Sequence, residues 1–548
     1  MRSCLRNLLA ATGVLIFGCV CVSFFACILS AFSPILTDNS EGKIEAAHLL
    51  KVSWFTFYQA VLSMCVACAV GIPLGFFCGR RKFFGRDFLL SLSSVPFCIP
   101  ALIVALGYIS FFGFSGTLNT VLKSIFSTEN APVTFLYSKT GLIIAQGFYN
   151  FPIVMKTVSD TFERIPNDKA EAARLLGASE SRIFRTITLY QILPSIISSS
   201  IPVFIYCFMS FMLVLLFGAV GCTTLEVEIF QSRAAINFRN AGLFALAETT
   251  IAAVVVAAQS MAEQKSFRIR GIAADGRFIR KNPRGFVEIS SLVFLLVLII
   301  IFFLCPLFGI FESAASSSIR TIGGKTAYSF QTFKNLVRFK SFFASLKWTF
   351  VTASCTGAVC SIMGFVYSVF LNENSILKRK NAKSNSLFLK ILAMMPMAVS
   401  GVVIAFGISI LVKKGNVALL IIAQSALGWP IAFKQIHAQV SKIPARTIEA
   451  AKLISKNNAE VIFRIYMPIA KRGILSAFCF CFSISAGDTT LPLVLSIPKF
   501  DTLALFTYRL AGAYRFHEAC ASGILLGAIC IFFFAISMRV FEPKNRIQ

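Results

Sequence analysis

Long apolar stretches recur along nearly the whole sequence, and this recurrence constrains the fold more than any other feature. A bilayer span needs roughly 20 mostly apolar residues, and about twelve stretches approach or exceed that length. Of the 548 residues, 57% are hydrophobic and only 14% are charged. The core of a soluble protein of this size does not absorb so much apolar surface. The predicted fold class is therefore an all-α, polytopic membrane protein.

The predicted spans follow from the length and composition of these stretches. They cover residues 8–33, 53–79, 88–113, 137–158, 190–219, 241–261, 286–310, 342–371, 386–412, 417–436, 470–497 and 518–541. Two of them, 137–158 and 417–436, are short and contain Pro152 and Pro430. A membrane helix tolerates proline when neighbouring groups satisfy the freed carbonyl, so both stretches are kept as spans.

The charged residues predict the orientation of the chain in the membrane. Lys and Arg number 52 against 24 Asp and Glu, and more of the basic residues fall in one set of alternating loops. This is the positive-inside pattern, and it explains the basic charge without nucleic acid. The first apolar stretch is long enough to be retained as a spanning helix rather than a cleaved signal. We therefore expect a multi-pass protein of the inner membrane with both termini in the cytoplasm.

One sequence pattern occurs twice. Residues 142–146 read LIIAQ, and so do residues 420–424, an offset of 278 by subtraction. The same offset superposes residues 165–173 on residues 443–451. The pattern predicts two parallel repeats of six helices each. The predicted divisions are an N-terminal helix and outer loop (1–52), a first repeat (53–262), a basic linker with an extra helix and outer loop (263–340), and a second repeat (341–548).

Two polar inner segments carry a Glu-Ala-Ala pattern at equivalent places in the repeats. The matching residues are Glu171, Ala172, Ala173 and Gly177 in the first copy, and Glu449, Ala450, Ala451 and Ser455 in the second. In the first copy Pro166 and Asn167 or Asp168 predict a capped helix start, and Gly177 a left-handed end. A helix lying on the inner membrane surface also fits this composition. The duplication favours docking onto a two-fold partner.

These segments resemble the EAA loops of ATP-binding-cassette (ABC) importer permeases. The resemblance implies a fused, two-domain type I permease whose loops dock two ATPase subunits inside the cell. It also implies a periplasmic or lipid-anchored solute-binding protein outside. Residues 485–490, 500–503 and 508–516 resemble those of fused thiamine permeases and, less closely, ferric-iron permeases. The implied cargo is thiamine, with ferric iron as the alternative.

Three acidic residues lie near the predicted outer ends of spans: Glu226, Glu228 and Asp488. Carboxylates at membrane depth are costly and usually face protein or a water-filled path. One interpretation is a passage that attracts a cation, which suits both thiamine and ferric iron. The other is a set of loop carboxylates that pair with Arg or Lys or contact a docked partner. Because Glu226 maps onto Ala504, any such site is asymmetric.

The sequence contains no recognisable catalytic machinery. It lacks the GxxxxGK[ST] phosphate loop, so ATP hydrolysis is expected on a separate subunit. Only three histidines occur, and none has the spacing of a metal site. No cofactor is expected, and a polytopic membrane enzyme is disfavoured.

A secondary transporter of the major-facilitator kind is the remaining alternative. It shares the parallel arrangement of six plus six spans, and the basic loop at residues 79–87 superficially resembles one of that family. That interpretation leaves the two Glu-Ala-Ala segments unexplained.

Overall fold

The computed structural model describes residues 2–37, 46–165, 168–218, 223–270, 280, 282–283, 285–315, 331–377, 393–412, 414–455 and 457–541. Within these ranges the regular elements are helices, which confirms the all-α fold class. The α-helices of the first part are Arg2–Phe32, Pro34–Thr37, Ala46–Arg80, Arg86–Ser91, Val95–Cys98, Ala101–Phe112, Thr117–Phe126, Lys139–Arg164, Asp168–Leu175, Glu180–Ile183, Leu189–Phe208, Phe211–Phe217, Leu225–Ala234 and Phe238–Arg270. Those of the second part are Phe286–Ile299, Cys305–Ala315, Gln331–Arg338, Lys340–Leu377, Gly401–Leu411, Val417–Val440, Ala445–Ile454, Asn458–Val461, Met467–Gly487, Thr490–Leu495, Leu503–Gly512 and Phe516–Phe541.

Among the described residues, ten helices are long and apolar enough to cross a membrane. They correspond to ten of the twelve predicted spans. Of the other two, 137–158 is the helix Lys139–Arg164, whose middle carries the polar residues Gln146 and Asn150. The stretch 386–412 contains a shorter apolar helix, Gly401–Leu411. Pro152 and Pro430 lie inside continuous helices. Neither proline therefore breaks the stretch that contains it.

Besides the stretch 386–412, whose chain is extended at Val399 and Ser400, three predicted spans are interrupted in the structure. The stretch 88–113 is divided into short helical pieces, and its long helix begins only at Ala101, after Pro100. The stretch 190–219 breaks after Phe208, and the stretch 470–497 breaks after Gly487. The last two breaks are equivalent under the 278-residue offset to within one residue, so the interruption belongs to the repeat.

One compact unit comprises Ile44–Val227 and Thr250–Ser313. Its central contact joins the helices Ala46–Arg80 and Lys139–Arg164. Gly71, Gly75 and Gly79, spaced four residues apart near the end of the first helix, allow this close approach: a methyl group on Gly75 would lie 2.8 Å from Cβ of Val158. Small residues at this spacing let membrane helices pack backbone to backbone. The second helix of this pair, Lys139–Arg164, leads directly into the first Glu-Ala-Ala segment.

The other compact unit comprises Met1–Lys43, Glu228–Thr249 and Ala314–Gln548. Here the first helix packs along Gly401–Leu411, and the Ser30 hydroxyl donates a hydrogen bond to the carbonyl of Gly407 at 2.9 Å. A side chain at Gly407 would overlap the Cys27 carbonyl. The bounds of the two compact units do not coincide with the four divisions predicted from the repeat. Those divisions remain a prediction. The predicted division 263–340 begins with a basic stretch, 265–284, and most of this stretch lies outside the described residues.

Candidate coupling helices and membrane carboxylates

The first Glu-Ala-Ala segment forms the helix Asp168–Leu175, here called the first EAA helix. Asp168 and Glu171 lie in its first turn, where negative charge complements the helix dipole. Gly177 has φ of +79°, and its N–H donates to the carbonyl of Arg174 at 2.9 Å. This left-handed end is the one predicted for Gly177. The predicted start at Pro166 and Asn167 lies outside the described residues.

The second segment forms the helix Ala445–Ile454, the second EAA helix. Pro444 immediately precedes it, and Ile448 is fully buried. Ser455 follows it with an extended backbone (φ −82°, ψ 144°). Serine disfavours the left-handed conformation that glycine adopts readily. The two EAA helices therefore match in position and differ in how the chain leaves them.

Each EAA helix ends in two exposed aliphatic side chains. Leu175 and Leu176 are 90% and 87% exposed, and Leu453 and Ile454 are 88% and 87% exposed. The offset of 278 relates the two pairs, which we call the apolar pairs. The sequence pattern did not single them out, although their recurrence directly after Glu-Ala-Ala was visible. Exposed apolar groups repeated in this way are candidates for an interaction surface.

The Glu-Ala-Ala residues lie beside the apolar pairs. Exposed members are Glu171, Ala172, Gly177, Glu449 and Ala450, while Ala173, Ala451 and Ser455 are half-buried. Arg174 bonds to Glu180, and these hydrogen bonds raise the pKa of the Arg174 guanidinium. In the second copy Lys452 forms an ion pair with Glu373 at 3.3 Å. The glutamates of both motifs are thus accessible to a partner.

A π-helical turn leads from each segment into the next long helix. The turns are Phe184–Thr188 and Ile462–Tyr466, again 278 residues apart. Such turns are rare and occur often at functional sites. Each turn joins its EAA segment to the helix that breaks at Phe208 or Gly487.

Asp488 is held by hydrogen bonds rather than by a cation. Its carboxylate accepts bonds from the Gln424 side chain at 3.0 Å and from the N–H groups of Thr490 and Leu491 at 3.0 and 3.3 Å. Gln424 in turn accepts a bond from the Ser485 hydroxyl at 2.6 Å. The described residues therefore give no support to pairing of Asp488 with Arg or Lys.

The two other predicted carboxylates lie on the helix Leu225–Ala234. Glu226 is 3% exposed, and Glu228 is half-buried. The helix start is fixed by a hydrogen bond from the Leu225 N–H to the Thr56 hydroxyl, at 3.0 Å. An equivalent bond joins Leu503 to Thr349 in the second repeat, at 2.7 Å. The backbone hydrogen bond at the start of this helix is thus present in both repeats, whereas Glu226 is replaced by Ala504 in the second repeat.

A fourth carboxylate, Glu248, was not singled out by the sequence pattern. It is 1% exposed, in a helix that is long and apolar enough to span the membrane. Ser400, which precedes the helix Gly401–Leu411, is the side chain that interacts with it. Neither carboxylate oxygen accepts a hydrogen bond of ordinary geometry from a described residue. The sequence could have identified Glu248 as a candidate site residue, because it is the lone acidic residue in the predicted span 241–261.

Comparison with known proteins decides the family. The family model described as "Binding-protein-dependent transport system inner membrane component" matches residues 71–265 and 375–547. The chain belongs to this family. Two matches in one chain confirm the duplicated permease, and membership resolves the choice between an importer permease and a secondary transporter. The protein is a multi-pass transport permease of the inner membrane.

Several relatives align over nearly the full length of this permease. The thiamine transport system permease protein ThiP of Escherichia coli (strain K12) is 23% identical over 516 residues, covering 91% of this chain and 90% of its own length. ThiP of Brucella abortus (strain 2308) is 24% identical over 557 residues, with 96% and 95% covered. A putative 2-aminoethylphosphonate permease protein, PhnU of Salmonella typhi, is 26% identical over 243 residues, 44% of this chain and 79% of its own. The full-length similarity is thus to fused, two-domain permeases.

Proposed function

We propose that this permease imports thiamine. The observation that carries the proposal is the alignment with thiamine permeases over more than nine-tenths of the chain. The relative named for 2-aminoethylphosphonate covers less than half of it. The cargo class is thus a small organic cation delivered by a solute-binding protein.

Two separate ATPase subunits drive the import in this proposal. They dock on the two EAA helices, whose exposed glutamates and apolar pairs supply a polar and an apolar contact on each helix. Both termini and both EAA helices then lie in the cytoplasm, as the basic loops favour. A solute-binding protein delivers thiamine at the opposite face, and ATP-driven closure of the ATPases changes which face the passage opens to.

The membrane carboxylates suit a cationic cargo. Glu226 and Glu248 are buried, and Glu228 and Asp488 are half-buried. A carboxylate in a low-dielectric passage attracts a positive charge much more strongly than it does in water. We assign Glu248 to the contact with the thiazolium ring, since it is almost fully buried and neither of its two carboxylate oxygens accepts a hydrogen bond of ordinary geometry from a described residue.

Competition by unlabelled thiamine tests the cargo. The permease is reconstituted in proteoliposomes with its ATPase subunits and solute-binding protein, and uptake of radiolabelled thiamine is measured with and without ATP. We expect ATP-dependent uptake that excess thiamine suppresses and ferric citrate does not. Absence of thiamine uptake by the complete assembly, or suppression by ferric ion, would contradict the proposal.

Charge reversal tests the EAA helices. Replacing Glu171 and Glu449 by Lys places two positive charges on the proposed docking surface. We expect the ATPase subunits to co-purify poorly and transport to fall, while the permease is still inserted in the membrane. Affinity purification in mild detergent followed by mass spectrometry measures the association. Full transport by the double variant would remove the coupling role.

A further inference from the structure

Two helix ends in the structure adopt a backbone conformation that their residues disfavour. Ile236 follows the helix Leu225–Ala234 with φ of +61°, and Tyr514 follows the helix Leu503–Gly512 with φ of +60°. At this position, two residues beyond the last residue of the helix, glycine is the usual residue. A β-branched or bulky residue with positive φ is a genuine outlier. Isoleucine is therefore especially unexpected here.

The hydrogen bonds at the two ends are the same. Ile236 N–H donates to the carbonyl of Arg233 at 3.0 Å, and the next N–H reaches the carbonyl of Ser232 at 2.9 Å. In the second repeat Tyr514 N–H donates to Ala511 at 3.2 Å, followed by a bond to Leu510 at 3.0 Å. The offset is again 278 residues. Both repeats hold a large apolar side chain where glycine would fit without strain.

These side chains gain little packing from the described residues. Ile236 is 74% exposed and Tyr514 is 97% exposed. Burial in the core therefore does not compensate the backbone strain at either position. Strain that the fold does not need is characteristic of functional sites, and an exposed apolar group with no packing partner indicates a contact made with another molecule.

The sequence places both residues on the face opposite the EAA helices. One spanning helix, Glu180–Phe208, separates the first EAA helix from Ile236, and Asn458–Gly487 does the same for the second. Arginines lie close to both residues in sequence: Arg239 follows Ile236 by three positions, and Arg515 follows Tyr514 directly. A complementary partner has an apolar socket rimmed by carboxylates at each contact.

We propose that Ile236 and Tyr514, the outer knobs, are anchor residues for the solute-binding protein. This assignment rests on the proposed function, which places that protein at the outer face. Apolar anchors that enter pockets on the partner contribute a large share of the binding energy of an interface. The left-handed backbone holds each knob out from its helix end before docking.

Glycine at both positions tests the proposal without threatening the fold. Ile236→Gly together with Tyr514→Gly removes the knobs and relieves the positive φ. We expect an equal or higher midpoint of thermal unfolding and unchanged ATPase activity of the complex without binding protein. Affinity for the binding protein, measured by biolayer interferometry on permease–ATPase complexes in nanodiscs, should fall about tenfold or more. Lys499→Gly is the control, because Lys499 is exposed with φ of +56° and should leave affinity unchanged.

The outcomes separate this inference from the proposed function. If the wild-type complex does not bind a solute-binding protein, the proposed function fails. If it binds and the double glycine variant binds equally well, only the knobs are refuted. Unchanged affinity with a lower unfolding midpoint in nanodiscs but not in detergent would assign the knobs to the lipid interface and overturn the proposal.

Discussion

Replacing both apolar pairs by glutamine is expected to release the ATPase subunits from the permease. The variant carries Gln at Leu175, Leu176, Leu453 and Ile454. An anchoring side chain at an interface commonly contributes about 1 kcal/mol or more, so four such losses weaken association by roughly a thousandfold. Co-purification in mild detergent and ATP-driven uptake measure the effect. All four side chains are at least 87% exposed, so the fold should be retained.

A matched control replaces other exposed apolar residues. Phe286 and Val287 are 87% and 79% exposed at the start of a spanning helix. Their change to Gln alters an apolar area comparable to that of one apolar pair and should leave ATPase association intact. Variants of each pair alone show whether both EAA helices dock, despite their different ends at Gly177 and Ser455. Retention of the ATPases by the fourfold variant would mean that the apolar pairs serve another contact.

The duplication was the most reliable prediction, because a repeat reports on structure at every aligned position. The offset found in LIIAQ also relates the two π-helical turns and the two outer knobs, and it relates the two helix breaks to within one residue. None of these features has a sequence signature of its own. The strained Ile236 in particular contradicts local propensity, which favours glycine at such a position.

The helix breaks were missed because hydropathy averages over a window and ignores local hydrogen bonding. The chain around Asp488 is apolar on both sides, so 470–497 was predicted as one span. In the structure the Asp488 carboxylate accepts bonds from the N–H groups of Thr490 and Leu491. These bonds satisfy the start of a new helix, as an N-terminal cap does. By contrast, Pro152 is a stronger breaker in sequence but lies within a continuous helix.

Glu248 was overlooked for a related reason: one acidic residue hardly changes the mean hydropathy of a span. We expect Glu248→Gln to reduce thiamine uptake about tenfold or more. A hydrogen bond or contact that involves a charged group contributes about 1.5–3 kcal/mol, which corresponds to roughly 10- to 100-fold in affinity. Gln keeps the size and shape of the side chain and removes its charge. Initial rates in proteoliposomes at several thiamine concentrations measure the change.

The charge of Glu248 distinguishes two possible roles of this side chain, a contact with the cation and a structural bond within the protein. A protonated Glu248 that only bonds to Ser400 would be a structural element, and Gln would replace it with unchanged uptake. A carboxylate that contacts a cation is not replaced by Gln, whereas Glu248→Asp should retain part of the activity. Association with the ATPases and the binding protein should be normal in both variants, so that loss of uptake reports on the passage. Wild-type uptake by Glu248→Gln would therefore assign Glu248 to packing and leave Glu226, Glu228 and Asp488 as the candidates for the cation path.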